Sequence, residues 1–217
     1  MELESKIRQF KDRLRIFLIL NYFSDDYNDP AHPLYKKLFK SEVKIQKIDF
    51  LIRNPDYLAY ELLNIARMDP GKSAEIKPIV KDIFASKEPV IRRLEMERFF
   101  FGAYEDIDDV ISFLKSVGFI DFSSKKAADF RTIEKYYFVT DTGLSKIQAT
   151  IPGLSSINWY IERCELIRKY FGDLTGTQLK VAQYQIKAYR DTTYNTYIGS
   201  IQESVKNEFL NFYGEPL

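Results

Sequence analysis

DIDDVISFLKSVGFIDFSSKKAADFRTIEKYYFVTDTG, residues 106–143, holds the clearest change of periodicity in the chain. Apolar side chains recur at helical spacing over residues 106–117 and share one face: Ile107, Val110, Ile111, Leu114 and Val117. Gly118 follows at the position where helices commonly end. Two short runs rich in aromatic and β-branched residues, 119–122 and 136–139, predict strands on either side of a polar connection. Helix, strand, polar tip and strand in this order predict a winged helix, whose wing is the hairpin.

Amphipathic helices are predicted on the N-terminal side of this stretch. Over residues 3–20, apolar side chains at 4-3-4-3 spacing form one stripe: Leu3, Ile7, Phe10, Leu14 and Phe17. Ser41 is placed to cap a second helix at 43–54. Pro55 ends that helix, because a proline disfavours helical backbone in the residue before it. A third, short helix is expected to follow.

The chain after residue 150 is predicted to be helical. Ile151-Pro152-Gly153 marks a boundary, and three segments with one apolar stripe each come after it. The last stripe is Tyr194, Ile198, Ile201, Val205, Phe209 and Phe212. Because a helix with one apolar stripe gains most of its stability from packing, each segment needs a surface to pack against. That surface is either the neighbouring helices or a helix of a partner protein.

The predicted fold class is mainly α (α+β), with a winged-helix core and a small β-hairpin wing. Residues 1–150 are expected to form a winged-helix-like domain with N-terminal helices, and residues 151–217 a C-terminal helical extension. Within the first domain, Asp-Pro-Gly-Lys-Ser at 69–73 predicts a loop, and residues 98–101 predict a further short strand.

Composition and charge exclude several function classes. The chain has 32 Lys and Arg against 31 Asp and Glu, so its net charge of +1 argues against a polybasic nucleic-acid coat and against an acidic tail protein. The run Ile16–Leu20 is too short for a membrane span, which needs about 20 residues. No export signal is expected, and the single cysteine, Cys164, fits a reducing cytoplasm. We therefore expect a cytoplasmic protein.

No catalytic constellation stands out in the sequence. A zinc site needs three or four Cys and His ligands, whereas His32 and Cys164 are the single residues of their types. Cys164 shares a face with apolar residues and is interpreted as a small buried hydrophobe. The carboxylates of residues 105–109 could hold Mg²⁺, but acidic residues in the first turn of a helix more often complement the helix dipole. We expect no enzyme activity, no cofactor and no metal.

The predicted wing is the one candidate for nucleic-acid contact. Its cations are Lys125, Lys126, Arg131 and Lys135. The helix before the wing begins with carboxylates, which DNA phosphates would repel, so major-groove binding by that helix is disfavoured. Phosphate contact by the wing and a simple solvated loop both remain open.

Several segments resemble one known family. Residues 43–58, VKIQKIDFLIRNPDYL, are similar to the K-L-x-K-L-D-F-L-L-R-Y-P-x-Y-L signature of the middle components of ABC-three-component bacterial defence systems. Asn54 stands where that signature has an aromatic residue. Residues 118–120 and 137–143 resemble the family's G-L-V and F-x-L-T-x-x-G ending, and Gly102-Ala103-Tyr104 stands at its Gly-Pro-Trp-like turn. Trp159–Cys164 and Gly172–Leu179 are similar to the accessory subunit of Lamassu-type complexes.

The resemblance implies a role in a complex. Members of this family accompany an SMC/RecN-like ATPase dimer with a long coiled coil and a separate effector, often a nuclease. The resemblance therefore implies a non-catalytic subunit that bridges the two, holds the effector inactive until foreign DNA is sensed, and meets DNA weakly or only through the complex. Candidate partner-interface residues are Leu3, Ile7, Phe10, Tyr194, Ile198, Ile201, Val205, Phe209 and Phe212.

Two other functions are weighed beside this one. A winged-helix DNA-binding regulator would bind duplex DNA in a salt-dependent manner through the wing. A metal-dependent enzyme would use the carboxylates of residues 105–109. The near-zero net charge and the acidic helix start count against the regulator.

Overall fold

The computed structural model describes residues 2–100, 102–126, 132–150 and 155–217, without the side chains at 2–5, 132–133, 150 and 155–156. The protein is 62% helical with 15% strand, which confirms the mainly α (α+β) prediction. In chain order the helices are α1 Glu2–Phe23, α2 Glu42–Arg53, α3 Pro55–Met68, α4 Pro70–Ala85, α5 Glu88–Ile91, α6 Asp108–Ser116, α7 Asp141–Thr150, α8 Ser155–Phe171, α9 Gly176–Gln185, α10 Lys187–Arg190 and α11 Gln202–Tyr213. The strands are β1 Asp25–Asp26, β2 Tyr35–Lys40, β3 Glu97–Phe99, β4 Gly102–Ala103, β5 Ile120–Lys126, β6 Thr132–Thr140 and β7 Thr196–Tyr197.

The chain divides into two compact units, each made of two separate stretches. Unit 1 comprises residues 1–49 and 106–177, and unit 2 comprises residues 50–105 and 178–217. The boundary expected between residues 150 and 151 coincides with none of the three junctions between these stretches. The physical reason is strand pairing: β2 from the N-terminal stretch pairs with β6, so residues 50–105 form an insertion within unit 1.

Unit 1 is a four-stranded antiparallel sheet packed with helices. The strand order is β1-β2-β6-β5, and Tyr137 at the centre of β6 lies opposite Phe39 on one side and Phe122 on the other. Helix α1 packs on α6 and α8, so its C-terminal half lies in the core. The buried residues include Ile16, Leu18, Ile19, Leu20, Ile45, Ile48, Leu114, Ile120, Val139, Cys164 and Ile167.

The helix and the two strands predicted within residues 106–140 are confirmed as α6, β5 and β6. Gly118 has φ +73°, the left-handed backbone that ends a helix without the penalty a side chain would carry. Apolar and polar residues do not alternate in strand β2, so the sequence does not predict it. The strand lies between β1 and β6, and most of its side chains are half-buried.

The T-x-x-G sequence at residues 140–143 starts helix α7. The Thr140 Oγ1 accepts a hydrogen bond from Gly143 N at 3.0 Å and donates to Gly118 O at 2.7 Å. A Cβ on Gly143 would lie 2.3 Å from the carbonyl oxygen of Phe119. Glycine is therefore required, because the first turn of α7 lies directly against the backbone before β5.

Unit 2 is a helical layer with a small antiparallel sheet. Helix α3 packs on α4 and α11, and the sheet has the order β4-β3-β7. The buried apolar residues include Tyr57, Leu58, Leu62, Leu63, Ile76, Val80, Ile83, Tyr189, Ile198, Ile201, Val205 and Phe209. The C-terminal stretch is thus half of a core rather than an extension.

Two elements of unit 2 differ from the sequence predictions. Residues 69–73 begin helix α4 rather than forming a loop, because the Asp69 side chain accepts a hydrogen bond from Gly71 N at 3.1 Å and Pro70 occupies the first helical position. The C-terminal stripe is also not one helix: Thr196–Tyr197 forms β7, and α11 begins only at Gln202.

Candidate partner-binding surfaces

Two charged residues of the 43–58 segment, the buried Asp49 and the half-buried Lys44, contact residues far away in the sequence. In unit 1, Asp49 is 1% exposed and accepts a hydrogen bond from Arg15 Nε, while Lys44 Nζ donates to Gly172 O at 2.6 Å. Burial alone would lower the pKa of Arg15, but the Asp49 carboxylate beside it raises that pKa. These contacts indicate that the two charges orient α2 within unit 1, because they bind groups far away in the sequence.

Asp56 and Arg53 do not pair with each other across Pro55. Asp56 is fully buried and accepts hydrogen bonds from Ser200 Oγ at 2.7 Å, Ile201 N at 2.8 Å and an Arg93 guanidinium nitrogen at 3.2 Å. Arg53 donates from Nε to the carbonyl of Leu94 at 3.2 Å. Each residue ties a different distant segment of unit 2 to the junction of α2 and α3.

An apolar groove opens on unit 1 beside the middle of α1, and we call it the α1 groove. Its volume is about 270 Å³. The described residues that line it are Phe10, Arg13, Leu14, Phe17, Leu18, Phe113, Leu114, Phe119, Lys146, Ile147 and Ile157. Phe10 is 61% exposed at its edge, and Ile7, one turn earlier, is 46% exposed. The expected partner-interface residues Ile7 and Phe10 therefore lie at an open surface, while the side chain of Leu3 lies outside the described residues.

Unit 2 presents its own exposed aromatic side chains. Phe100 follows β3, and its ring centroid lies 6.2 Å from that of Tyr194. Tyr197 lies on β7 opposite Glu97 of β3. Phe100, Tyr194 and Tyr197 are 78%, 52% and 59% exposed, and we call them the aromatic cluster. Of these, the C-terminal stripe of the sequence contains Tyr194 alone, and the three consecutive phenylalanines at 99–101 predict only a strand.

The C-terminal stripe does not reach a surface over most of its length. The side chains of Ile198, Ile201, Val205 and Phe209 are at most 4% exposed because they pack into the core of unit 2. Phe212 is 38% exposed at the end of α11. Of the six stripe residues, only Tyr194 and Phe212 are accessible to a partner. The other four pack within unit 2 itself.

The wing cations are placed unequally. Lys125 and Lys126 are exposed on β5, and Lys125 pairs in register with Glu134. Lys135 makes a salt bridge with Glu42 and has Asp108 at 4.0 Å. Arg131 lies outside the described residues. The arrangement leaves two exposed lysines near the end of β5, while Lys135 is engaged within unit 1.

The acidic residues at the start of α6 act as helix-start residues. Asp106 Oδ1 accepts a hydrogen bond from Asp108 N at 2.9 Å, and Asp108 and Asp109 lie in the first turn. Glu105 makes a salt bridge with Arg53 of unit 2. Among the described residues, no group of three or more His, Cys, Asp or Glu side chains is arranged to hold a metal ion.

The single histidine and the single cysteine have different surroundings. The ring of His32 stacks on that of Tyr35 at 5.2 Å in the connection before β2. Cys164 is fully buried on α8, and burial raises the pKa of its thiol. The interpretation of Cys164 as a buried hydrophobe is confirmed.

Comparison with known proteins found no family model, no curated protein and no solved structure that matches the chain. Within the part of the chain that the structure describes, none of the helices combines the length and the hydropathy needed to cross a bilayer. Among the described residues, each unit has an exposed apolar surface: the α1 groove on unit 1 and the aromatic cluster on unit 2.

Proposed function

We propose that this protein is a non-catalytic accessory subunit of a bacterial antiphage or antiplasmid defence complex. It bridges an SMC/RecN-like ABC ATPase dimer and an effector nuclease, and it helps to keep the effector inactive until foreign DNA is sensed. It works in the cytoplasm, and its unit 1 is of winged-helix type. The resemblance of residues 43–58 and 137–143 to the middle components of such systems motivates the proposal.

One observation supports a bridging role above all. Each unit carries its own exposed apolar surface, the α1 groove on unit 1 and the aromatic cluster on unit 2. Aromatic side chains dominate binding energy at protein interfaces because they bury a large area with few rotatable bonds. A subunit that holds two different partners needs two such surfaces.

The direct test is co-purification with proteins encoded next to this one. The tagged chain, expressed with a neighbouring coiled-coil ATPase and nuclease, is expected to retain both through gel filtration. Phe10→Ser and Phe100→Ser are then each expected to release one of the two partners. A chain that runs alone in the presence of such an ATPase would contradict the proposal.

A winged-helix DNA-binding regulator is the second candidate, favoured by the exposed Lys125 and Lys126. It requires duplex binding by the isolated chain, with an affinity that falls steeply as salt rises. Replacement of both lysines by Glu would abolish that binding. The bridging proposal expects the same double variant to retain both protein partners. A comparison of wild type with this double variant therefore separates the two functions.

A further inference from the structure

We propose that the α1 groove binds an amphipathic helix of a partner protein whose apolar face is flanked by carboxylates. The inference deepens the proposed function and rests on it, since the helix would belong to the ATPase or to the effector. It identifies the partner element by chemistry: apolar anchors at helical spacing with Glu or Asp on both sides.

The shape and lining of the groove favour a protein helix over a small molecule. Its volume of about 270 Å³ lies below the roughly 300–1,000 Å³ typical of small-molecule sites. Apart from Arg13 and Lys146, every described lining residue is apolar, so few groups could orient a polar metabolite. Helices α1, α6, α7 and α8 supply almost all of the lining. Grooves of this kind accept the apolar face of a helix, with anchors spaced three, four and seven residues apart.

The apolar stripe of α1 continues beyond what the chain itself covers. Phe17 is 5% exposed and its ring stacks on Phe119 at 5.2 Å, whereas Phe10 and Ile7 on the same stripe are 61% and 46% exposed. A stripe that is buried at one end and open at the other leaves a continuous apolar surface for a second helix to extend the packing. Exposed apolar patches beside a groove commonly mark such interaction sites.

Charge complementarity decides the flanking residues of the partner. The charged groups that line the groove are both cationic: the Arg13 guanidinium, 3.7 Å from the centroid of the Phe113 ring, and Lys146 of α7. Asp12, the next residue to Arg13, forms salt bridges with Arg15 at 2.9 Å and with Arg8 at 3.9 Å, and it does not line the groove. Carboxylates on the incoming helix would meet these two cations, while lysines there would be repelled.

The test uses two designed peptides of equal length with the same leucine face, one flanked by Glu and the other by Lys. Fluorescence anisotropy with the full chain is expected to show the Glu-flanked peptide binding at least about tenfold more tightly. Phe10→Ser should weaken that binding, and Arg13→Glu with Lys146→Glu should reverse the preference. Ile91→Ser, which changes an exposed apolar residue of unit 2, is the matched control and should leave the affinity unchanged.

Three outcomes would overturn the inference. Equal affinity for the two peptides would show that charge does not select the partner. If neither peptide binds, an amphipathic helix is not the occupant of the α1 groove. Self-association that Phe10→Ser abolishes would show that a second copy of this chain occupies the groove. The two proposals fail in different ways: if both the ATPase and the effector co-purify equally with wild type and Phe10→Ser, only the assignment of the groove is wrong, whereas a wild-type chain that retains neither partner contradicts the bridging role.

Discussion

The Asp56 carboxylate of α3 accepts a hydrogen bond from the backbone N–H of Ile201, 145 positions later in the sequence. Ile201 is the N-terminal cap residue of α11 and has no side-chain acceptor of its own. The Asp56 carboxylate therefore satisfies one of the N–H groups at the start of α11 that have no carbonyl partner within the helix, while Ser200 Oγ accepts a hydrogen bond from Gln202 N at 3.4 Å. Ser200 Oγ donates to the same carboxylate oxygen at 2.7 Å, so Asp56 fixes the start of α11 on α3.

We expect Asp56→Asn to destabilise unit 2 by about 3 kcal/mol, because it leaves the partly buried Arg93 guanidinium without its carboxylate. Ser200→Ala removes the hydrogen bond from Ser200 Oγ to Asp56 and two weaker ones that Gln202 donates to that hydroxyl, but no charge is left unpaired, so it should cost only about 1 kcal/mol. Hydrogen exchange of the amides of residues 205–208, which follow the first-turn N–H groups without a carbonyl partner in the helix, measures both effects. Equal protection of these amides in the two variants would contradict the capping role of Asp56.

The Arg15–Asp49 pair should behave as a buried ion pair. Asp49→Asn is expected to cost about 3 kcal/mol of unfolding free energy, since it leaves a buried guanidinium with Asp12 alone. Replacing both residues by Leu removes both charges and should recover much of the loss. Urea titrations followed by the fluorescence of Trp159, which lies in unit 1, measure each value. A double variant less stable than Asp49→Asn would show that the pair itself is strongly stabilising.

The glycine that starts α7 should tolerate no side chain. Gly143→Ala brings a Cβ to 2.3 Å from a backbone carbonyl oxygen, so we expect a loss of about 2–3 kcal/mol. Gly199→Ala is the matched control: its Cβ meets no atom within 4 Å, and stability should change by less than about 0.5 kcal/mol. Thermal unfolding followed by circular dichroism compares the two. Similar melting temperatures would mean that α7 shifts away from Phe119 without cost.

Glu61 of α3 should make stability depend on pH in an unusual direction. Burial raises the pKa of its carboxyl to about 6, while a hydrogen bond from Asn64 acts in the opposite direction. Between its ordinary pKa of 4.5 and this value the folded chain keeps a proton that the unfolded chain has lost, so the contribution of Glu61 to stability decreases as pH rises.

Glu61→Gln removes that ionisation. The variant should be more stable than wild type above pH 6, by up to about 2 kcal/mol, and should show no gain below pH 4.5. Urea midpoints measured across this range test the expectation. The control is Glu203→Gln, whose side chain is 81% exposed and whose substitution should change stability little. A gain for Glu61→Gln that is the same at every pH would exclude the ionisation as its cause.

Local signals in the sequence predicted the elements that depend on neighbouring residues. The 3.6-residue periodicity of α6, the glycine that ends it and the aromatic runs of β5 and β6 lie within one continuous stretch, and all three elements are present. Asp69 and Pro70 show the limit of such signals. The same residues that are typical of a turn also begin a helix, and the helix forms here because α4 has a face to pack on α3.

The candidate surfaces were harder to predict, because an apolar stripe in the sequence gives no information about what covers it. Phe10 and Phe209 lie on stripes of the same kind, yet the first is 61% exposed and the second is fully buried. Arg13, Phe113 and Lys146 line the α1 groove but are far apart in the chain and share no motif.

By itself, the sequence determined α6, the glycine that ends it and the strands β5 and β6, because these follow from propensities and hydrogen bonds within a few residues. Only the tertiary structure decided which distant stretches share a unit, and therefore which apolar side chains are covered. Strand β2 pairs with β6 and α11 packs on α3 across contacts more than 90 residues apart. Whether an apolar side chain is buried depends on these long-range contacts. The accessible apolar surfaces are those that the contacts leave uncovered.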